Sequence, residues 1–355
     1  MQRNNKRFRG LAALIALMLV FTVASGCAKK TDTAKTDEAA SAGKPTDVIV
    51  TYKDGGKITR GEFDTFLNIN KFFNPQFAQF ATDPAFQQDM MKQLVTFRVL
   101  ASRADDKAKA EGDKKAKEQM DTINMYFGAQ QGGLEEKLKA ANITTQDVES
   151  FVKQSMYAVS SAESKVTDLQ VKDAYDKKLA ANSHLYDIAT VRHILVVTND
   201  PATGKETRSK EEALARAKEV QDKLNKGGDF DALAKEYSDD PGSRDKGGKY
   251  ENEEISQWDP AFGKAAAELP LNTISDPVES SFGYHIMKVE ARSSKSFDDV
   301  KGSIRSELAE TQIYDFFEKE LPGLIETNKL PKPEEKKPDA APGGSAPASP
   351  APAGK

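Results

Sequence analysis

Two of the chain's three histidines, His193 and His285, have a setting in which they could take part in chemistry. His193 follows Arg192 as one polar pair inside the apolar run from Ile188 to Val197, and His285 opens a second apolar run that ends at Val289. Runs rich in β-branched residues are typical of buried strands. A loop over residues 238–249, rich in Asp, Gly, Ser and Lys, adds polar groups that could act beside these strands.

Other kinds of chemistry find no support in the residue types. Three histidines and one cysteine lack the spacing of metal ligands, and the sequence has no phosphate loop and no nucleophile elbow. We therefore expect no metal and no cofactor. The third histidine, His184, precedes the first strand and is expected in a linker or at the surface.

The elements around the two histidines predict a small α/β domain. Ser209 and Glu212 form a capping box before a helix that runs to Gly227, and Asp229 caps a shorter second helix. The predicted order is strand 188–197, the two helices, a third helix 260–269, and strands 276–278 and 285–289.

Several motifs stand in order along this region: HIL at His193, DFDALAKEYSDD ending at Asp240, GG at Gly247, PAF at Pro260 and FGYHIMKV from Phe282. In these motifs the chain resembles the parvulin (PpiC, or rotamase) type of peptidyl-prolyl cis-trans isomerase. The resemblance implies a parvulin-like α/β domain over residues 186–292, with helices and a four-stranded, mainly antiparallel sheet. It also implies roles for particular residues: His193 and His285 as paired sheet histidines, Asp240 at a Cys-or-Asp position, Ser280 at a hydroxyl position, and Tyr250, Trp258 and Phe262 as the proline slot.

Prolyl isomerisation breaks no covalent bond, because the enzyme has only to lower a rotation barrier of about 18–20 kcal/mol that comes mostly from amide resonance. An apolar slot, a desolvated imide and a few polar groups suffice. We expect the Asp240 carboxylate to disfavour the polarised amide form and to hydrogen-bond the two histidines. Asp240 could instead only shape its Gly-rich loop, and the histidines could only hold the sheet together.

The N-terminal residues 1–26 predict a signal peptide. A basic start is followed by an apolar run from Leu11 to Ala24, which is short for a membrane span. Small residues then precede Cys27 in a pattern that resembles a bacterial lipoprotein box, so we expect Cys27 to be lipidated; an ordinary secretory signal cleaved near Gly26 is the alternative. Removal of residues 1–26 leaves 47 Lys and Arg against 55 Asp and Glu, a net charge of −8, which argues against nucleic acid as a partner.

The remaining segments predict a body around the isomerase-like domain. Residues 27–45 read as a flexible tether, residues 46–182 as a hairpin with about six helices in a chaperone-like domain, and residues 331–355 as a disordered Pro/Ala-rich tail. Residues 296–330 predict an amphipathic helix that packs on the N-terminal helices. The predicted fold class is therefore α+β, with the parvulin-like domain inserted in an all-α domain, an arrangement similar to PrsA and SurA type extracytoplasmic foldases.

Methionines and phenylalanines of the N-terminal region could line an adaptable groove for unfolded chains or form a plain helix core. The segment 72–80 (FFNPQFAQF) has no helical stripe and could be exposed.

We predict an extracytoplasmic foldase that isomerises X-Pro bonds in unfolded or nascent secreted or outer-membrane proteins and also acts as a chaperone. Its lipid would hold it on a membrane, facing the periplasm or the cell exterior; Ala28 after the cysteine resembles outer-membrane sorting signals. One alternative is a non-enzymatic holdase, because GGKYENE departs from the usual GGDLG pattern. The other is a structural lipoprotein scaffold.

Overall fold

The computed structural model describes residues 43–200 and 203–333. The signal peptide, Cys27, most of the tether and most of the C-terminal tail lie outside the described residues. The chain divides into two compact units, one made of residues up to 165 together with those from 309 onward, and one made of residues 166–308.

The elements of the first unit are helical apart from three short strands. They are β1 (Val48–Tyr52), β2 (Gly56–Thr59), α1 (Arg60–Phe73), α2 (Pro84–Ser102), α3 (Asp106–Gly128), α4 (Gly133–Ala140) and α5 (Thr145–Glu163). The elements of the second unit and of the C-terminal segment are α6 (Asp168–Ala181), β3 (Asp187–Val197), α7 (Lys210–Asn225), α8 (Phe230–Tyr237), β4 (Lys249–Glu254), α9 (Pro260–Glu268), β5 (Val278–Ser280), β6 (Gly283–Ser294), α10 (Phe297–Asp315) and β7 (Ile325–Asn328).

Two helices of the first unit, α1 and α2, begin at the caps that the sequence predicts, whereas α3 begins at Asp106, earlier than the predicted start at Glu118. Thr59 and Glu62 form the capping box of α1, and the Asp83 side chain caps α2 with Pro84 at its first position. α5 packs against both α2 and α3. One apolar core of this unit lies among α1, α3, α4 and α5, with Ile123 and Val148 fully buried.

The methionines and phenylalanines of the first unit divide between core and surface. Met90 and Met91 are buried, whereas Met125 is 54% exposed. In the segment 72–80, α1 ends at Phe73 and a 3₁₀ turn follows, with Phe77 buried and Phe80 48% exposed. The core interpretation therefore fits Met90, Met91 and Phe77, while Phe80 is exposed.

The helix predicted from Phe297 to about Glu320 in the C-terminal segment 296–330 is present, and a strand that was not predicted follows it. α10 ends at Asp315, a π-helical turn and a 3₁₀ turn follow, and the chain then forms β7. Pro322 and Gly323 explain the change, because neither residue favours a helix interior. β7 pairs antiparallel with β1, which completes a three-stranded sheet in the order β2-β1-β7. The unit is thus not purely α-helical: the expected hairpin is present, and its third strand, β7, was not predicted.

The second unit is built on a four-stranded antiparallel sheet with the order β4-β3-β6-β5. The α+β class and the four-stranded sheet are confirmed. On one face, Ile194, Val196 and Ile286 pack against α7 and α8; on the other, Val191, Met287 and Val289 pack against α9. The sheet thus separates two apolar cores.

Two features of the second unit differ from the expected boundaries. β4 was not among the strands located in the sequence, although the resemblance implied a fourth; it forms an edge strand whose residues 251–253 are exposed. α6 was expected in the N-terminal domain, but it belongs to the second unit. Tyr175 of α6 stacks on Tyr186 and meets the ring edge of Phe297 at the start of α10, which holds α6 there.

Within residues 43–200 and 203–333, no helix combines the length and the apolar character needed to cross a membrane.

Candidate active site

The two histidines lie on the same face of the four-stranded sheet. His193 is opposite Met287 in the β3–β6 ladder, and His285 is opposite Leu195. Residues two apart on a strand share a face, so the histidines are diagonal neighbours. Both are buried, at 3% and 4% exposure.

A chain of hydrogen bonds runs through both rings. Nδ1 of His193 lies 3.1 Å from Nδ1 of His285, whose Nε2 lies 2.6 Å from the Ser280 hydroxyl. Nε2 of His193 lies 3.0 Å from Oδ2 of Asp240. A carboxylate only accepts, so His193 donates from Nε2; in a neutral His193 ring, Nδ1 then accepts from His285, which in turn accepts from Ser280.

His285 is held in its neutral form. Burial lowers its pKa from 6.5 to about 3, and the adjacent His193 ring acts in the same direction. A neutral imidazole carries one N–H, so one ring nitrogen donates and the other accepts. The direction of one hydrogen bond in this network therefore fixes the direction of the next.

The backbone of β3 fixes the loop that carries Asp240. The N–H of Asp239 donates to Leu195 O at 2.8 Å, and the N–H of His193 donates to Gly248 O at 2.8 Å. Gly248 has φ +72°, and a Cβ atom there would lie 2.2 Å from His193 O, so the close approach requires glycine. Arg208 adds a 2.7 Å ion pair to the Asp239 side chain.

Asp240 is surrounded by donors. Its Oδ2 accepts from His193, from Tyr250 Oη at 2.9 Å and from Ser243 Oγ, while its Oδ1 accepts from Gly242 N at 3.0 Å. Burial alone would raise the pKa of this carboxyl, but the hydrogen bonds from His193, Ser243 and Gly242 bring the pKa well below 3.8. Asp240 is therefore an anion at neutral pH. Burial and the charge of Asp240 raise the pKa of Tyr250, which stays protonated and can donate.

The aromatic wall of the site is formed by Phe262 and Trp258. The Phe262 ring lies edge-on to both histidines, with centroid distances of 5.1 Å to His193 and 4.9 Å to His285. Trp258 meets Phe262 edge-on at 5.1 Å and remains half-buried. The Asp259 side chain caps α9, which fixes Phe262 in the first turn of that helix.

The structure brings six of the predicted residues into contact with one another: His193, Asp240, His285, Tyr250, Trp258 and Phe262; the seventh, Ser280, contacts His285. Tyr250, expected only in the proline slot, also belongs to the polar network, because its hydroxyl bonds Asp240 while its ring stacks 5.4 Å from His193. Cys27 lies outside the described residues.

Sequence reasoning missed Ser243. This serine is fully buried, donates to Asp240 and lies 3.1 Å from Nε2 of His193. Its position three residues after Asp240 in a Gly-rich loop was the available signal, since Asp and Ser side chains often bond within such turns.

The described part of the chain has no group of three or more His, Cys, Asp or Glu side chains arranged to hold a metal ion. The arrangement therefore consists of an anion, two imidazoles and three hydroxyls beside an aromatic wall. It can bind an apolar ring and exchange hydrogen bonds with a nearby peptide group.

The chain is similar in sequence to known proteins. The family described as the PPIC-type PPIase domain matches residues 176–293. Foldase protein PrsA 4 of Bacillus cereus is 31% identical over 278 residues, which cover 76% of this chain and 79% of that protein. Foldase protein PrsA of Clostridium botulinum is 28% identical over 262 residues, which cover 69% of this chain and 72% of the relative.

A crystal structure of peptidylprolyl isomerase PrsA from Bacillus anthracis shares 27% identity, covers 66% of this chain and 94% of that chain, and superposes with a TM-score of 0.34. The family assignment rests on the sequence relatives, and it confirms the parvulin resemblance seen in the motifs. The chain belongs to the PrsA family of foldases and is a parvulin-type peptidyl-prolyl cis-trans isomerase.

Proposed function

We propose that the second unit binds the proline ring of a client chain against Trp258 and Phe262 and twists the preceding peptide bond beside Asp240. The observation that carries this proposal is the position of Phe262, whose ring packs at a steep angle against both histidines of the polar network. An apolar ring held on Phe262 would therefore place its X-Pro bond beside buried polar groups.

Asp240 would act electrostatically. The planar amide is stabilised by a resonance form with negative charge on the carbonyl oxygen, and an anion near that oxygen disfavours this form. The lowered pKa of Asp240 keeps the anion present at neutral pH. A carboxylate is a poor nucleophile toward an imide, and rotation needs no covalent intermediate.

His193 and His285 would orient Asp240 and adjust to the twisting bond. His193 bonds Asp240 directly, and His285 links His193 to the Ser280 hydroxyl. Because Ser280 is half-buried whereas His285 is buried, the hydroxyl is the more accessible end of this chain. Ser280 would thus be the group that follows the substrate as its hydrogen bonds change.

The clients would be unfolded or nascent secreted proteins that contain X-Pro bonds. The signal-like residues 1–26 and the lipoprotein-like pattern at Cys27 support a lipid-anchored protein outside the cytoplasm, with Ala28 favouring the outer membrane of a two-membrane cell. Cys27→Ser tests the anchor: the precursor should stay unprocessed or the protein should be released from membranes. Persistent lipid labelling of that variant would contradict the proposal.

The foldase function is tested with residues 28–355 and a client whose refolding is limited by prolyl isomerisation. The parent should accelerate the slow refolding phase at substoichiometric amounts, and Asp240→Ala should accelerate it much less. A chain that only suppresses aggregation and leaves the slow phase unchanged would fit a holdase instead.

A further inference from the structure

Asp259 connects two walls of the site through its two carboxylate oxygens. Oδ1 faces α9 and accepts from the backbone N–H groups of Ala261 at 2.9 Å and Phe262 at 3.4 Å. Through these bonds Oδ1 fixes the start of α9, the helix that carries Phe262. Asp259 also directly follows Trp258 in the chain, so both residues of the aromatic wall lie close to this cap.

Oδ2 of the same carboxylate reaches the turn between β5 and β6. It accepts from the Ser281 hydroxyl at 2.7 Å and from the Ser281 backbone N–H at 3.2 Å. Ser281 directly follows Ser280, whose hydroxyl lies 2.6 Å from His285. The polar wall and the aromatic wall therefore meet at one side chain.

We propose that the hydrogen bond from the Ser281 hydroxyl to Asp259, which we call the clasp, is a positioning device that fixes the width of the slot between the aromatic pair Trp258 and Phe262 and the polar pair Ser280 and His285. The clasp rests on the proposed function, since it sets the geometry of that same slot. Asp259 and Ser281 are positioning residues, because they would act on substrate through their neighbours.

The local structure shows why such a contact is needed. α9 has nine residues and the turn between β5 and β6 has two, so each wall is carried by a short segment. Phe282 in that turn is 51% exposed, so its ring is not anchored in a core. The groups of a binding site must be held within about 0.5 Å of the geometry that fits the ligand, so a direct bond between the two segments supports binding.

Charge strengthens the clasp. Burial alone would raise the pKa of Asp259, but the hydroxyl and N–H of Ser281 and the N–H groups of α9 lower it below 3.8. The carboxylate is thus ionised at neutral pH, and hydrogen bonds to an ionised acceptor are about twice as strong as neutral ones. The two oxygens also separate two roles, because capping uses Oδ1 and the clasp uses Oδ2.

Ser281→Ala tests the clasp, because it removes the 2.7 Å bond and leaves the cap of α9 intact. Ser281→Thr keeps the hydroxyl and is the conservative variant; Ser256→Ala, at an exposed serine two residues before Trp258, is the matched control. With a proline tetrapeptide as substrate, Ser281→Ala should raise KM about threefold or more and change kcat by less than about twofold. Ser281→Thr and Ser256→Ala should match the parent.

Trp258 supplies a second measurement, since it is the only tryptophan in the sequence. Ser281→Ala should shift its fluorescence emission to longer wavelength, because a wider slot exposes the indole, and Ser281→Thr should restore the parent spectrum. Unchanged KM and unchanged emission in Ser281→Ala would overturn the clasp and leave the proposed function standing. If the parent had no isomerase activity, the proposed function would fail, and the emission of the two Ser281 variants would still decide the clasp.

Discussion

The hydroxyl of Tyr250 donates a 2.9 Å hydrogen bond to Oδ2 of Asp240, the oxygen that also accepts from His193. The same tyrosine stacks its ring on His193 at 5.4 Å. One side chain thus lines the site and orients its anion. A single substitution can therefore distinguish the contribution of the ring from that of the hydroxyl.

Tyr250→Phe keeps the ring and removes the donor. His193, Ser243 and Gly242 still bond Asp240, so the carboxylate should remain charged but become less well oriented. We expect kcat to fall about three- to tenfold, which corresponds to roughly 0.7–1.4 kcal/mol in the barrier, while KM changes little. Peptide isomerisation kinetics measure both constants. An increase in KM at constant kcat would show instead that Tyr250 serves only the slot.

Asp240→Asn and Asp240→Ala separate charge from shape. Asn keeps the size of the side chain but loses the charge. Its amide has one acceptor oxygen, whereas the donors around Asp240 bond to two carboxylate oxygens in the parent. If Asp240 acts electrostatically, Asn should reduce kcat/KM by more than a few-fold and come close to Ala. Circular dichroism checks that both variants fold. An Asn variant as active as the parent would mean that Asp240 only shapes its loop.

The stability of the second unit should depend on pH through His285. Its pKa is 6.5 in an unfolded chain and about 3 in the folded protein. Between these values the unfolded chain binds a proton that the folded chain does not, so the free energy of unfolding falls as the pH falls below 6.5, by at most about 1.4 kcal/mol per pH unit. Above pH 6.5 His285 is neutral in both states, so it adds no pH dependence to the free energy of unfolding. The lowered pKa of Asp240 stabilises the fold above 3.8, and that contribution is lost at still lower pH.

Urea unfolding followed by Trp258 fluorescence at pH 7.5, 6 and 5 measures this dependence for the second unit. His285→Gln lacks the titrating ring, so its free energy of unfolding should change less over this range than that of the parent. Equal pH slopes in the two proteins would show that burial of the neutral His285 ring does not govern the stability.

Leu321→Ala tests the contribution of the C-terminal segment to the first unit. Leu321 is fully buried and Phe316 and Phe317 are nearly so, although they follow the second unit in the chain. Truncating Leu321 should cost about 2–5 kcal/mol, because transfer and cavity terms add. Met125→Ala, at a methionine of the first unit that is 54% exposed, is the control and should change stability little.

The two units can be followed separately in that experiment. The Trp258 transition reports the second unit, whereas circular dichroism also reports the helices of the first. Leu321→Ala should shift the unfolding transition of the first unit to lower urea concentration. The transition followed by Trp258 fluorescence should stay where it is in the parent. A shift of the Trp258 transition alone would contradict the assignment of Leu321 to the core of the first unit.

Sequence patterns predicted the parts of the fold that depend on local chemistry. The predicted capping box at Ser209 and the predicted cap at Asp229 lie at helix starts, and β3 extends over nearly the predicted residues. β4 and β7 were missed because each is a short edge strand with a polar, half-exposed sequence. Their hydrogen bonds come from partners distant in the chain, Val191 for β4 and Thr51 for β7, and no local periodicity encodes such a pairing.

The candidate site was likewise predicted only in part. His193, His285 and Asp240 were found through motifs, and the structure places them in one hydrogen-bonded network. The contacts of Ser243 and the Asp259–Ser281 clasp were not foreseen, because they depend on how a loop folds back on β3 and how a turn meets α9. A serine in a polar loop gives no sequence signal that distinguishes such a contact from solvent exposure.

We infer that this site isomerises X-Pro bonds with an anion and an aromatic wall. A protease-coupled assay on a proline-containing tetrapeptide, with residues 28–355 as catalyst, tests it most directly. We predict that the parent accelerates the slow phase in proportion to its concentration and that Phe262→Ala and Asp240→Ala each lose at least about tenfold in kcat/KM. A slow phase unchanged by the parent, or variants as active as the parent, would contradict the claim.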